Sequence, residues 1–407
     1  MDSALQQITD RVRAAATSGT PLRIRGGGSK DFYGQSLQGE VLDTTSLSGI
    51  TSYEPSELVV TARAGTPLRE LEAALAGQGQ CLPFEPPHFN LPAGTVDANQ
   101  TSGHPVTPVG TVGGMVAAGL CGPARASVGG VRDYMLGVQV LNGRAEHLTF
   151  GGQVMKNVAG YDVSRLMAGS MGTLGLITDV SLKVLPVAPA EATLVFELDQ
   201  AEALAQLHRW GGQPLPLNAS CWVNDSAAKP GAAAAEPAGM GRLYVRLRGA
   251  IAAVESASKS MAQQAAGTRM DNAVAGPDWQ ACRDLRLPFF ASPPQPGMAL
   301  WRLSVAQTTP PLNLPWPQLV EWHGGLRWLW APPDAAGSVR DAAAQAGGYA
   351  TIFIANYLYR TWANAVFDAF PALEVPLDGI HRRLQAEFDP AGVFNCGRLY
   401  PKPDASA

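Results

Sequence analysis

The chain has 407 residues, enough for two or three modules, and 46% of them are hydrophobic, which supports a sizeable core. Its formal net charge is −4, so it lacks the basic footprint of a nucleic-acid binder. Five cysteines (Cys81, Cys121, Cys221, Cys282 and Cys396) are widely spaced without a C-x-x-C pair, which reads as reduced thiols and excludes an iron–sulfur ligand run.

In chain order, residues 4–18 carry helical periodicity in a polar N-terminus unlike a signal peptide. "PLRIR" and "GEVLDTT" read as short strands around the loop Gly26-Gly27-Gly28. "ELVVTARAGTPLRELEAALAGQG" reads as strand, turn and helix, with Pro67 in the first helical turn and Gly77 at the exit. "LPFEPPHF" is a proline-rich connector. Residues 110–186 are glycine-rich, with strands at "MLGVQVLNG" and "LITDVSLKVLP". The longest weakly polar run, "TVGGMVAAGLCG", is far shorter than the roughly 20 apolar residues of a membrane span. A soluble, cytoplasmic chain is expected.

The texture changes after Pro186. "EATLVFELD", "AEALAQLHRWGG", "NASCWV", "GRLYVRLRG" and "IAAVESASKSMAQQAAG" read as strand, helix, strand, strand, helix, an order that suggests a ferredoxin-like module. "SAAKPGAAAAEPAG" between its middle strands is of low complexity. Farther on come a strand "ALWRLSVAQ", the tryptophan-rich "WPQLVEWHGGLRWLW", a helix near 334–346 and a strand "YATIFIA". The tryptophans read as core. The tail "LDGIHRRLQAEFDPAGVFNCGRLYP" is a helix and a turn-rich segment.

The string "RIRGGGSK" poses the functional question. Glycine is kept where backbone turns tightly or approaches something closely. A G-x-G-x-x-G fingerprint fails because Asp31 stands at the third glycine position, and no Walker A string occurs. By itself the loop supports a plain tight turn as well as a nest of N–H groups that cradles phosphate. Six histidines are scattered, without H-E-x-x-H, so no metal is expected.

Three further stretches narrow the reading: "GTVGGMVAAGLCGPARASVGG" at 110–130, "VMKNVAGYDVSRLMAGSMGTLGLITDVSLKVLP" at 154–186 and "FDPAGVFNCGRLYP" at 388–401. With "RIRGGGSK" they resemble the vanillyl-alcohol-oxidase-type, or PCMH-type, FAD-binding family. "LPFEPPHF", "KNVAGYDVSRLMAGS" and "GRLYP" point within it to the FAD-binding subunits of bacterial glycolate oxidases. The resemblance implies an α+β fold. It has a two-lobed FAD-binding domain at 1–187, a ferredoxin-like cap at 188–378 and a C-terminal segment at 379–407 that returns to the flavin. It also implies the site residues. Arg25, Gly26, Gly27, Gly28, Ser29 and Lys30 match the loop that wraps the FAD pyrophosphate. Thr111, Gly113, Gly114, Ala117 and Gly119 match the second flavin loop, and Gly172, Thr173, Gly175 and Ile177 the third. Asn395 and Arg398 would stand near the flavin ring or a bound carboxylate.

Two departures from the family matter. The first loop holds no His for a covalent flavin bond, so FAD is expected to be non-covalent. The histidine-rich metal motif of the larger catalytic relatives is absent, which puts independent substrate oxidation in doubt. Oxidation of a 2-hydroxy acid needs a base at the hydroxyl and a cation on the carboxylate. His323 and His381 are candidates for the base, though both read more readily as structural, and the catalytic base is left unassigned. Arg302 and Arg398 are candidates for the cation. The expected function is the FAD subunit of a complex that oxidises glycolate to glyoxylate, with a larger flavin subunit and an iron–sulfur subunit as partners and at most peripheral membrane association. The alternative is a stand-alone flavin oxidoreductase of another 2-hydroxy acid or alcohol.

Overall fold

The structure, a computed structural model, describes residues 2–35, 38–89, 109–152, 162–224, 239–355 and 368–399. Residues 226–238 of the low-complexity string, 154–161 of the third glycine-rich stretch and Tyr400 and Pro401 lie outside them. The chain divides into two compact units. The first comprises Met1–Leu120, Gly130–Pro186 and Ala372–Ala407, and the second Cys121–Gly129 and Val187–Pro371.

The first unit opens with α1 (Ser3–Ser18), started by the Asp2 carboxylate, which accepts from Ala4 N, and ended by Gly19 at φ 70°. Its buried stripe of Leu5, Ile8, Val12 and Ala15 has helical spacing. β1 (Leu22–Arg25) and β2 (Glu40–Asp43) pair in parallel. β3 (Ile50–Glu54), β4 (Val59–Arg63), β5 (Met135–Leu141), β6 (His147–Gly151) and β7 (Leu176–Lys183) form an antiparallel sheet in the order β3-β4-β7-β5-β6. α2 spans Leu68–Ala76, with Pro67 just before it and Gly77 at its exit. α3 (Val112–Ala118) lies inside the stretch read as a glycine loop. Thr111 caps it, Gly119 ends it at φ 62°, and Val112, Met115 and Val116 are buried along it. Caps and an apolar face outweigh the low helix propensity of Gly113 and Gly114.

The tail belongs to the core of this unit. After the helix Val375–Phe388, Val393 and Phe394 are fully buried against α1, Leu22, Leu42, Leu141 and Leu176. Leu22 N donates to Val393 O (2.7 Å) and Asn395 N to Leu22 O (2.9 Å), so the tail extends the edge of β1.

The second unit is one eight-stranded sheet. Its strands are β8 (Ala190–Leu198), β9 (Leu217–Val223), β10 (Gly241–Gly249), β11 (Thr268–Met270), β12 (Ala299–Ser304), β13 (Gln318–Glu321), β14 (Leu326–Ala331) and β15 (Tyr349–Ile354). Their order is β11-β8-β10-β9-β13-β14-β12-β15. The first four follow the ferredoxin-like order, with α4 (Gln200–Gly211) and α5 (Ile251–Ala265) as the crossovers. Leu194, Phe196, Leu207, Trp210, Leu243, Val254 and Met261 close that core. The last four strands repeat the order in mirror sequence and keep only the second helix, α6 (Ala336–Gln345). Trp328 and Trp330 are buried as core, Trp328 edge-on to Phe290 and Phe353.

Candidate FAD site in the first unit

The chain leaves β1 at Arg25, whose Nε donates to Asp31 Oδ2 at 2.7 Å, and bends through the three glycines. Val109 N donates to Gly27 O (3.0 Å), and Gly28 bridges Val109. A Cβ on Gly27 would land on the Val109 carbonyl oxygen, and Gly28 sits at φ 76°. These two positions therefore demand glycine for reasons internal to the chain. The loop also meets the needs of an anion. Among the described residues, the N–H groups of Gly26, Gly27 and Gly28 donate to no acceptor. Among the described residues, Lys30 Nζ meets only Ser29 Oγ (3.3 Å) and the face of Phe89, 5.9 Å from the ring centroid. Burial without a carboxylate lowers its pKa to about 8. Three successive N–H groups without acceptors and a half-buried ammonium without a carboxylate partner, both among the described residues, fit a pyrophosphate.

The second stretch is fixed from within. Val112 N donates to Thr66 O (2.9 Å) and Gly113 N to Ala64 O (2.8 Å), while Gly114 N donates to the Thr111 hydroxyl at 3.3 Å. A Cβ on Gly113 would lie 2.6 Å from that of Ala64. The exit of α3 then engages the third stretch: Gly169 N donates to Val116 O (3.0 Å) and Met171 N to Ala117 O (2.8 Å), and Gly119 packs on Gly169. Gly172 turns at φ 73°, and the Thr173 hydroxyl donates to Ser170 O (2.7 Å). Gly175 packs on Val140, and Ile177 is buried in β7; both serve the sheet.

The tail closes the ring. Asn395 Nδ2 donates to Met171 O (2.6 Å) in the third stretch, and its Oδ1 accepts from Ile24 N (2.8 Å) on β1. Arg398 donates to Lys30 O and Gln35 O, both at 3.1 Å. It is buried, and burial lowers its pKa to about 10, still charged at neutral pH. Four stretches far apart in sequence thus form one connected set. Its backbone bonds are between main-chain groups, which leave no mark on residue identity. Sequence reasoning missed Ser170, whose buried hydroxyl has no partner among the described residues and stands beside Met171; its only signal was its place inside "AGSMG".

His381 is within the helix Val375–Phe388. His323 is in the second unit, where Nδ1 is 3.0 Å from Ser220 Oγ and Nε2 is 3.0 Å from Ser127 Oγ. Burial pushes its pKa down to about 4, so it is neutral at physiological pH.

The profile of a family described as an FAD binding domain matches residues 3–151. Glycolate oxidase subunit GlcE of Escherichia coli (strain K12) is 39% identical over 395 residues, 97% of this chain and 97% of that protein. The chain belongs to that family. It is an FAD-dependent oxidoreductase by membership. Glycolate oxidase subunit GlcD of Bacillus subtilis (strain 168) is 27% identical over 168 residues, 41% of this chain and 32% of that protein. D-lactate dehydrogenase of Anaerostipes hadrus is 29% identical over 164 residues, 40% and 30% respectively. Among solved structures, alkyldihydroxyacetonephosphate synthase aligns with a TM-score of 0.62 at 15% identity, covering 96% of this chain and 75% of that one. That likeness shows the PCMH-type fold anticipated from the glycine stretches. No helix among the described residues is long and apolar enough to cross a membrane.

Proposed function

We propose that this chain is the non-covalent FAD subunit of a complex that oxidises glycolate to glyoxylate. The observation that carries the reading is the identity of 39% along nearly the whole of both chains with a protein named as a glycolate oxidase subunit. When bound, the flavin accepts the hydride equivalent that leaves the substrate carbon. The chain's own residues do the rest. Gly26 to Gly28 offer N–H donors to the pyrophosphate, and Lys30 supplies the balancing charge. Thr111 and Ala117 hold α3 and the third stretch in register. Asn395 and Arg398 fasten the first and third stretches from the tail. The absence of His from residues 25–30 supports a dissociable cofactor.

The partners in this reading are a larger flavin-binding subunit and an iron–sulfur subunit in the cytoplasm, with membrane contact at most peripheral. Electrons pass from this assembly to an acceptor outside the chain. The test is dye-linked glycolate oxidation by this chain alone and after addition of the larger flavin subunit. The reading expects turnover only in the mixture. Robust turnover by the chain alone supports a stand-alone oxidoreductase instead.

A further inference from the structure

Within the second unit, Trp322, His323 and Gly324 all take left-handed backbone conformations, at φ 53°, 54° and 103°. Two successive non-glycine residues in that region are costly and persist only where the surroundings enforce them. The turn places the Trp322 ring, whose Nε1 donates to Gly122 O at 3.0 Å. Two cations face this one ring. The Arg125 guanidinium, on the short helix Arg125–Val128, is 4.6 Å from its centroid, and that of Arg302, on β12, is 5.1 Å away. Arg302 also lies 5.9 Å from the centroid of Trp328.

An indole face attracts a cation but satisfies none of the five N–H donors of a guanidinium. Among the described residues, neither the Arg125 nor the Arg302 guanidinium makes a hydrogen bond or an ion pair. Arg302 is half-buried, so its donors are partly withdrawn from water without an acceptor. The other polar groups of the turn are committed. Trp328 Nε1 donates to Glu321 Oε1 (2.8 Å), and the His323 ring bonds Ser127 and Ser220.

We infer that the Trp322 turn is a binding site for a small carboxylate, with Arg302 as the anchoring fork and Arg125 as the second cation. A carboxylate is planar and singly charged, which matches a guanidinium fork between aromatic faces. A phosphate dianion would bring a second negative charge near the buried Glu321 at the foot of the same turn, which disfavours it more than a singly charged carboxylate. The site itself stands on the arginines and rings; only the choice of glycolate as probe rests on the proposed function.

The test is calorimetric titration of the full chain with glycolate and, separately, with inorganic phosphate. The wild type is expected to bind glycolate and to bind phosphate far more weakly. Arg302→Met keeps the aliphatic stem and removes the fork, and it should weaken glycolate binding at least about tenfold. Arg125→Met, at an exposed position, should weaken it less. Absence of glycolate binding to the wild type, equal affinity for phosphate, or unchanged glycolate affinity in both variants overturns the inference. The visible spectrum of the same samples reports FAD independently. A flavin-free chain that still binds glycolate through Arg302 upholds this site while refuting the cofactor reading.

Discussion

Arg398 donates to the main-chain carbonyl of Lys30 at 3.1 Å, across 368 positions of sequence. A second bond to Gln35 O, returned by Gln35 N to Arg398 O, makes the tail a clamp on the segment that follows the three glycines. The fork recognises backbone here, which under the proposed function gives it the task of holding the loop in shape.

From this clamp it follows that Arg398→Ala should raise the Kd for FAD by about tenfold or more, since hydrogen bonds to a charged donor are worth about 1.5–3 kcal/mol each. Arg398→Lys should recover part of the loss. Fluorescence titration of the apoprotein with FAD measures this. A flavin potential shifted at full FAD occupancy would place the cation at the ring instead.

Lys30 predicts a pH dependence. Burial holds its pKa near 8 in the chain alone. A bound pyrophosphate favours the charged form and raises that value, so binding above pH 8 takes up a proton. Affinity for ADP or FAD should be full below about 8 and fall as the pH rises through it. Stability of the apoprotein runs the other way. The unfolded chain keeps this proton up to the ordinary value of 10.5, so stability rises between about 8 and 10.5. Lys30→Met should lower affinity and flatten the affinity profile; an unchanged profile removes Lys30 from the cofactor.

Gly27→Val tests the loop. The added Cβ meets the Val109 carbonyl, so the bond between Val109 N and Gly27 O must break. The variant should lose FAD and also melt at a lower temperature. Loss of FAD with an unchanged Tm would mean that the side chain obstructs only the ligand.

Phe394→Ala tests the tail as core. The ring is fully buried against α1 and Leu22, and its removal should cost about 3–5 kcal/mol by urea unfolding. A loss below 1 kcal/mol, on the order of a surface change, would detach the tail from the core.

Much of this fold was legible in residue patterns. The alternation in β8, where Ala192, Leu194 and Phe196 are buried, and the flanking helices give the ferredoxin-like order directly. Its second copy was harder to see, because no helix joins β12 to β13 and tryptophans fill that half. α3 was hidden by Gly113 and Gly114, whose propensity opposes a helix that capping and burial enforce. The glycine stretches are among the segments that the structure joins, while the clamp of Arg398 and the bridge of Asn395 did not show. Both side chains bind carbonyl and amide groups that every residue carries.

The measurement closest to the central claim is acid precipitation of the purified chain, with absorbance and flavin analysis of both fractions. A ring of four stretches that holds FAD without a covalent bond predicts a yellow supernatant containing FAD and a colourless pellet. Colour that stays with the pellet, or a protein purified without any flavin that takes none up on titration, would contradict it.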